Sequence, residues 1–203
     1  QFTIKSLDEL DIVVNQNLCA RIPDDTDIKE SSFTVLGSIA LHGLRLSETS
    51  LGSKVVVIGL GIIGQLVCRL AEAQGSEVIG IDPNSKRTEK SENFFTTVDE
   101  ANVNNVDSVI ITAATSSNEP IEIATRIARN KAKIVVVGDI PLNISRNDFY
   151  YKELELVVSK SYGPGRYDKQ YEILGKDYPI EYVRWTENRN FEAFLKLLSH
   201  NFR

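Results

Sequence analysis

Lys54-Val55-Val56-Val57-Ile58-Gly59-Leu60-Gly61-Ile62-Ile63-Gly64 joins two patterns of different period. The first half is a continuous β-branched run, which fits a strand buried on both faces and not one with a wet side. The second half is a GxGxxG that opens a helix, with apolar pairs at Ile62/Ile63, Leu66/Val67 and Leu70/Ala71 and with Gln65, Arg69 and Glu72 outside the stripe. In that context each glycine has a physical task. Gly59 permits the tight turn, Gly61 has no Cβ to obstruct a pyrophosphate, and Gly64 lets helix and strand pack closely. Leu60, Ile62 and Ile63 complete the turn, and the helix start offers free N–H groups and positive potential to phosphates.

Working outward, Glu77 to Ile81 reads as the second strand and ends at Asp82, 18 residues past Gly64. That is close to the ~20 expected of an acid that accepts hydrogen bonds from an adenosine ribose diol. A carboxylate there repels a 2′-phosphate, so the spacing favours NAD over NADP. Lys86 and Arg87 follow in the next loop and lean the other way. Farther along, 94–98, Val106 to Thr112, Lys133 to Gly138 and Leu154 to Val158 read as strands, separated by helical segments at 84–92, 118–130 and 145–152 and by a short helix or turn at 99–104. Strands alternating with helices imply parallel pairing through right-handed crossovers. The expected fold is α/β, a doubly wound six-stranded parallel sheet. Thr112-Ala113-Ala114-Thr115 and Gly138-Asp139-Ile140-Pro141 then fall at carboxyl ends of strands, where small residues such as Thr112, Ala113 and Gly138 leave room for a nicotinamide and its ribose.

On the amino-terminal side, Ile12-Val13-Val14 and Leu18 to Ile22 read as a strand-rich lead-in closed by Pro23-Asp24-Asp25. From Ser31 the period becomes helical, with Ser31 or Ser32 as N-cap. This places a boundary near residue 30, dividing 1–30 from 31–203. Beyond the sixth strand, Tyr162 to Tyr182 is an aromatic-rich loop. Glu187 to Ser199 closes as a helix with Phe191, Phe194/Leu195 and Leu198 inward. Ser159-Lys160-Ser161-Tyr162-Gly163-Pro164-Gly165-Arg166-Tyr167 gathers Lys, Tyr and Arg, which suits either positioning a substrate hydroxyl or carboxylate or a structured surface loop.

Composition excludes several classes. The 203 residues are 42% hydrophobic and 25% charged, with 23 Lys plus Arg against 28 Asp plus Glu, a net charge of −5. A mildly acidic chain without a basic stretch is a poor partner for nucleic acid or anionic membrane. No apolar run approaches the ~20 residues of a membrane helix, and the first residues lack the pattern of a secretory signal. A cytoplasmic domain acting on a small molecule is expected, with self-association through its sheet domain. Cys19 and Cys68 are the only cysteines and His42 and His200 the only histidines, without HExxH or CxxC spacing, so no zinc is expected in this chain. Cys68 reads as a small core residue and both histidines as packing or surface groups. Met is absent even at position 1, which prompts the expectation of a piece of a longer chain that binds NAD without turning over substrate by itself.

Leu18-Cys19-Ala20-Arg21-Ile22-Pro23-Asp24, the helix through Ala40-Leu41-His42-Gly43, Val55 to Gly64 and Asp82 together resemble the medium-chain dehydrogenase/reductase superfamily, the zinc-type alcohol dehydrogenases. The resemblance covers nearly the whole chain, as the family's cofactor domain with a short remnant of its GroES-like domain before it. It implies a Rossmann fold, an NAD(H) cofactor, and hydride transfer between nicotinamide and an alcohol or carbonyl, with any zinc and catalytic residues outside this chain. Lys152-Glu153-Leu154, Ser161 to Tyr167, Tyr178-Pro179-Ile180 and Val183 to Glu187 resemble bi-domain oxidoreductases, in which a Gfo/Idh/MocA-type half follows. The stretch from Glu92 to Val106 is shorter than the family pattern. An S-adenosylmethionine methyltransferase or a non-catalytic nucleotide-binding module are the alternatives, since fold does not by itself decide function.

Overall fold

Four β-branched side chains in a row leave no face for water, and Val55, Val56 and Val57 are completely buried. The structure is a computed structural model that describes residues 2–5 and 11–200. Residues 1 and 6–10 of the lead-in lie outside the described residues, as do 201–203. The elements run β1 (Phe2–Lys5), β2 (Asp11–Val14), a 3-10 turn (Gln16–Leu18), α1 (Ile28–Ser31), α2 (Thr34–Leu46), β3 (Lys54–Ile58), α3 (Ile62–Ala73), β4 (Glu77–Ile81) and α4 (Ser85–Thr88). They continue with β5 (Phe94–Phe95), α5 (Val98–Ala101), β6 (Val106–Ile111), α6 (Glu119–Ile127), β7 (Ala128–Val136), α7 (Arg146–Lys152), β8 (Glu155–Val158), α8 (Lys169–Glu172) and α9 (Glu187–Ser199).

Two compact units result, one of residues 39–159, the other of those before Ile39 and after Ser159. In the first, β3 to β8 form one sheet in the order β5-β4-β3-β6-β7-β8, and every neighbouring pair is parallel. This is the expected six-stranded doubly wound sheet. The chain leaves β3 toward one edge and returns at β6 to build the other, so the strand order reverses between β3 and β6. A crevice opens there at the carboxyl ends. The core below it includes Val56, Val109, Ile111, Ile121, Ala124 and Ile134, all at 1% exposure or less. Each large aliphatic buried this way contributes about 1.5–3 kcal/mol.

Several boundaries differ from the sequence reading. Asp27, not Ser31 or Ser32, is the helix cap: its carboxylate accepts from Lys29 N at 2.6 Å, and α2 starts only at Thr34. Ser31 is inside a one-turn helix, buried, with its hydroxyl donating to Asp27 O at 2.9 Å. The helix expected over 84–92 is the single turn α4, because Phe94 must already pair with Gly80 at the sheet edge. The helix expected to reach residue 130 stops at Ile127, since Ala128 opens β7 opposite Val106. Lys152 Nζ covers that helix end by donating to Thr125 O, Arg126 O and Ala128 O at 2.7–2.9 Å. A cation on free terminal carbonyls satisfies them and complements the helix dipole. Leu18 to Ile22 is not a strand: Asn15 caps the 3-10 turn there instead.

In the other unit the lead-in folds onto the tail and not onto itself alone. Asn17 Nδ2 donates to Tyr171 O at 3.0 Å and Asn188 Nδ2 to Cys19 O at 2.7 Å. The division therefore falls inside α2 and after β8, whereas the sequence reading put it near residue 30. Side-chain amides reaching more than 150 positions along the chain leave no composition break to read. Phe191, Phe194 and Leu195 face inward as expected, while Leu198 is half-buried. Among the described residues no helix is long and apolar enough to cross a membrane.

Candidate functional site

A cleft of about 720 Å³ lies over the carboxyl ends of β3, β4 and β6, floored by Ile58, Gly59, Ile81 and Thr112. That volume is in the range of small-molecule and cofactor sites. Gly59 adopts φ +98°, which only glycine takes without strain. Thr112 Oγ1 donates to Gly59 O and so fixes the turn against the end of β6. Gly61 caps α3 with no side-chain hydrogen bond, which leaves the first-turn amides without a protein acceptor from the cap. A Cβ built on Gly61 meets nothing within 4 Å, whereas one on Gly64 would lie 1.8 Å from Gly59 O. The first glycine of that pair keeps space open and the second keeps two backbones close.

Asp82 is 2% exposed at the end of β4. Its Oδ2 accepts from Leu60 N at 2.7 Å and from Arg87 Nη1 at 2.9 Å, and its Oδ1 from Asn84 N at 2.9 Å. Burial alone would raise this carboxyl, but the Asn84 and Leu60 amides and the Arg87 guanidinium outweigh it and hold the group below the usual carboxylate range. A carboxylate offers about four acceptor positions, so three are taken and one on Oδ1 is left. The Arg87 side chain is about half exposed and is the one donor of the three that can swing away.

Of the residues singled out from the sequence, Gly59, Gly61, Asp82, Arg87, Thr112 and Ala113 come together on the cleft. The others act around it. Leu60 is fully buried and contributes its amide to Asp82, and Gly64 packs α3 on the turn. Ile62, expected on the inward stripe, is 57% exposed, and the inward face is Gly64, Val67, Cys68, Leu70 and Ala71. The helix must turn its small residues to the sheet for Gly64 to approach Gly59, and that rotation carries Ile62 outward and leaves Ile63 half-buried. Gly138 sits behind the cleft, where a Cβ would lie 2.0 Å from Ala113 O. A smaller cleft of about 510 Å³ follows it, formed by Ala114, Thr115, Asp139 and Pro141 among others.

One wall of the main cleft escaped the sequence reading. Thr96 to Asp99 and Arg126 line it, and Arg126 pairs with Asp99 at 3.6 Å. Its one readable signal was Thr97-Val98-Asp99-Glu100, a capping box that the structure forms in full. His42 is buried in α2, and burial, then Arg45, lowers its pKa, so it is a neutral packing group at pH 7. Burial pushes the Cys68 thiol up and makes it unreactive. Among the described residues no three His, Cys, Asp or Glu side chains gather as a metal site.

The family model of the D-isomer specific 2-hydroxyacid dehydrogenase NAD binding domain matches residues 30–149, more than half of the chain. The chain is 29% identical over 171 residues to 2-dehydro-3-deoxy-L-galactonate 5-dehydrogenase of Pseudoalteromonas atlantica, covering 76% of this chain and 49% of that protein. It is 32% identical over 78 residues to sorbitol dehydrogenase of Bos taurus, covering 38% of this chain and 22% of that one. It thus spans about half, or less, of the curated relatives it matches. The structure superposes on galactitol-1-phosphate dehydrogenase of Escherichia coli with TM-score 0.73 and 20% identity, over 95% of this chain and 55% of the other. It also matches a protein described as a zinc-binding dehydrogenase from Sinorhizobium meliloti, bound to NADP, with TM-score 0.67 and 21% identity over 89% and 51% of the two chains. At these identities the structural matches establish the fold. The relatives are alcohol- and polyol-type dehydrogenases, in line with the resemblance read from the sequence, and the family model meets them in the dinucleotide-binding domain.

Proposed function

Because the chain belongs to the D-isomer specific 2-hydroxyacid dehydrogenase NAD binding domain family, we propose that it binds NAD in the cleft over Gly59–Gly64 as the cofactor half of an oxidoreductase. The observation that carries this reading is the open space at Gly61 beside the uncapped start of α3 and the buried carboxylate of Asp82. A pyrophosphate fits the first and a ribose hydroxyl the second. When bound, nicotinamide supplies the hydride chemistry. The chain's own residues then bind and orient: the Gly61–Ile63 amides hold phosphate oxygens, the remaining lobe of Asp82 Oδ1 accepts from a ribose hydroxyl, and Thr112 and Ala113 leave space at the end of β6. Gly138 supports that end from behind.

The relatives named for galactonate and sorbitol oxidation support a polyol or sugar-derived substrate. Groups that act on it belong to parts of the protein beyond this chain in our reading, and the tail motif from Ser161 to Tyr167 supports a bi-domain oxidoreductase as the whole. The two free cysteines support a reducing compartment, in keeping with the cytoplasm. Titration calorimetry of the chain with NAD, NADP and S-adenosylmethionine tests the assignment. Heat and saturation with NAD are expected, and binding of S-adenosylmethionine alone would refute it.

Arg87 sets the balance between the two nicotinamide cofactors in this reading. It neutralises Asp82, and by turning outward it meets a 2′-phosphate. Arg87→Ala is therefore expected to weaken NADP about tenfold or more, the scale of a charge-assisted contact, and NAD by much less. Equal weakening of both cofactors in the same calorimetric titration would remove Arg87 from this role.

A further inference from the structure

Helix α9 opens on a side chain whose charge does not suit its surroundings. Glu187 is completely buried, and among the described residues neither of its carboxyl oxygens has a hydrogen-bond partner. Burial without a hydrogen-bond donor on either oxygen disfavours the ionised carboxylate, so the neutral acid is the form that burial favours. Arg166 is the neighbouring cation, but its Nη1 is committed to Glu172 Oε1 at 2.7 Å while its Nε is buried and unpartnered. The local polar groups are thus mismatched by one proton: two carboxyls share one guanidinium, and the guanidinium has an N–H unused.

The same residues hold a loop. Glu187 N donates to Pro164 O at 2.8 Å and Asn190 Nδ2 to Tyr162 O at 2.8 Å. Gly163 between these ties and Gly165 just after them take φ +111° and +105°. Residues other than glycine are strained in that region, so both positions favour glycine. Arg166 stacks on the Tyr162 and Tyr167 rings at 5.1 and 4.3 Å. Among the described residues, Glu172 on α8 and Arg166 on the loop act on Glu187 directly, and the phenols of Tyr162, Tyr171 and Tyr178 feel its charge.

We propose that Glu187 is a proton-operated latch: as the neutral acid it leaves Arg166 with Glu172, and on giving its proton to solvent it draws Arg166 from Glu172 and pulls residues 162–166 tighter onto the start of α9. Burial first, then Glu172, raises the carboxyl to about 7 against the opposing pull of Arg166, so the change falls at neutral pH. An acid whose proton is held more tightly in the folded chain than in the unfolded one makes the fold less stable as pH rises from its ordinary value of 4.5 to about 7, and adds no further slope above that. The loop it governs carries Tyr162 and Arg166, and Lys160 just before them. The latch stands independently of the cofactor assignment.

Trp185 is the only tryptophan of the chain and lies two residues before Glu187, under the Arg184 guanidinium at 3.8 Å. Its fluorescence in the full chain, followed between about pH 5.5 and 8.5, should show a one-proton transition with a midpoint of about 7. Glu187→Gln, which copies the neutral acid, should abolish it and remove the loss, on the order of a hundredfold, that the wild-type folding equilibrium suffers from this group with rising pH. A transition that survives the substitution does not belong to Glu187 and overturns the proposal. Should Glu187→Gln not fold, carboxyl-13C spectra of glutamate-labelled wild type decide the matter. One glutamate titrating near neutrality supports the latch, and all of them titrating in the ordinary carboxylate range overturns it.

Discussion

Gly59→Ala is expected to cost about 3 kcal/mol or more of stability and to abolish cofactor binding. Two penalties coincide at this residue. Its φ of +98° lies where L side chains are strained, at about 1–3 kcal/mol. A Cβ there would stand 2.6 Å from Ala113 N and 2.8 Å from Ala113 Cα, backbone atoms of the loop after β6 that cannot rotate aside. Overpacking of that kind adds roughly 1–3 kcal/mol, against a total stability of about 5–15 kcal/mol for a domain. Gly61→Ala is the matching control. Its backbone is at φ −64°, and the added methyl meets no protein atom within 4 Å. Urea melts should leave this variant within about 0.5 kcal/mol of wild type, while NAD affinity falls about tenfold or more because the methyl occupies the phosphate's place. A Gly61→Ala chain that binds NAD as tightly as wild type would show that the phosphates do not sit on this turn.

Asp82→Ala is expected to act on both stability and binding. The side chain was read from the sequence as a ribose acceptor, but in the structure it is first a structural hub. Its removal strands the buried Leu60 amide and leaves Arg87 without its counter-charge. An unsatisfied buried donor costs about 1–3 kcal/mol, and a lost charge-assisted contact to ribose weakens NAD by a further tenfold to a hundredfold. The pH dependence separates the two effects. Because the folded-state carboxyl is held below its ordinary range, its contribution is fully present above about pH 4 and is lost as pH falls through the lowered value. Wild type should therefore lose stability in acid more steeply than Asp82→Ala, as read by urea melts across that range. Identical acid slopes would mean that Asp82 is not held by these three donors.

The six strands and their order along the chain were open to reading because parallel strands covered on both faces must be apolar throughout. Val55–Ile58 and Val109–Ile111 carry that requirement in their composition. The glycine turn was equally open, since its demands are local: a positive φ at Gly59 and the absence of a side chain at Gly64 follow from neighbouring backbone. Helix ends were less so. α6 stops where β7 must begin opposite Val106, and Lys152 covers its last carbonyls from 24 positions away or more, neither of which appears in the local pattern of residues 118–130.

That Thr96–Asp99 walls the cleft, and that the Leu60 amide donates to Asp82, were harder to read for the same reason, because each depends on which groups the sheet brings within reach. The tail shows it most plainly. Glu187 reads as an ordinary first-turn acid of an amphipathic helix, and only in the folded chain, with its amide tied to Pro164 O, is it a buried carboxyl unpartnered among the described residues. Periodicity and backbone sterics act over a few residues and so are written in the order of amino acids. Burial of a charge and the choice of its partner are set by segments that meet in space, and those exist only once the chain has folded.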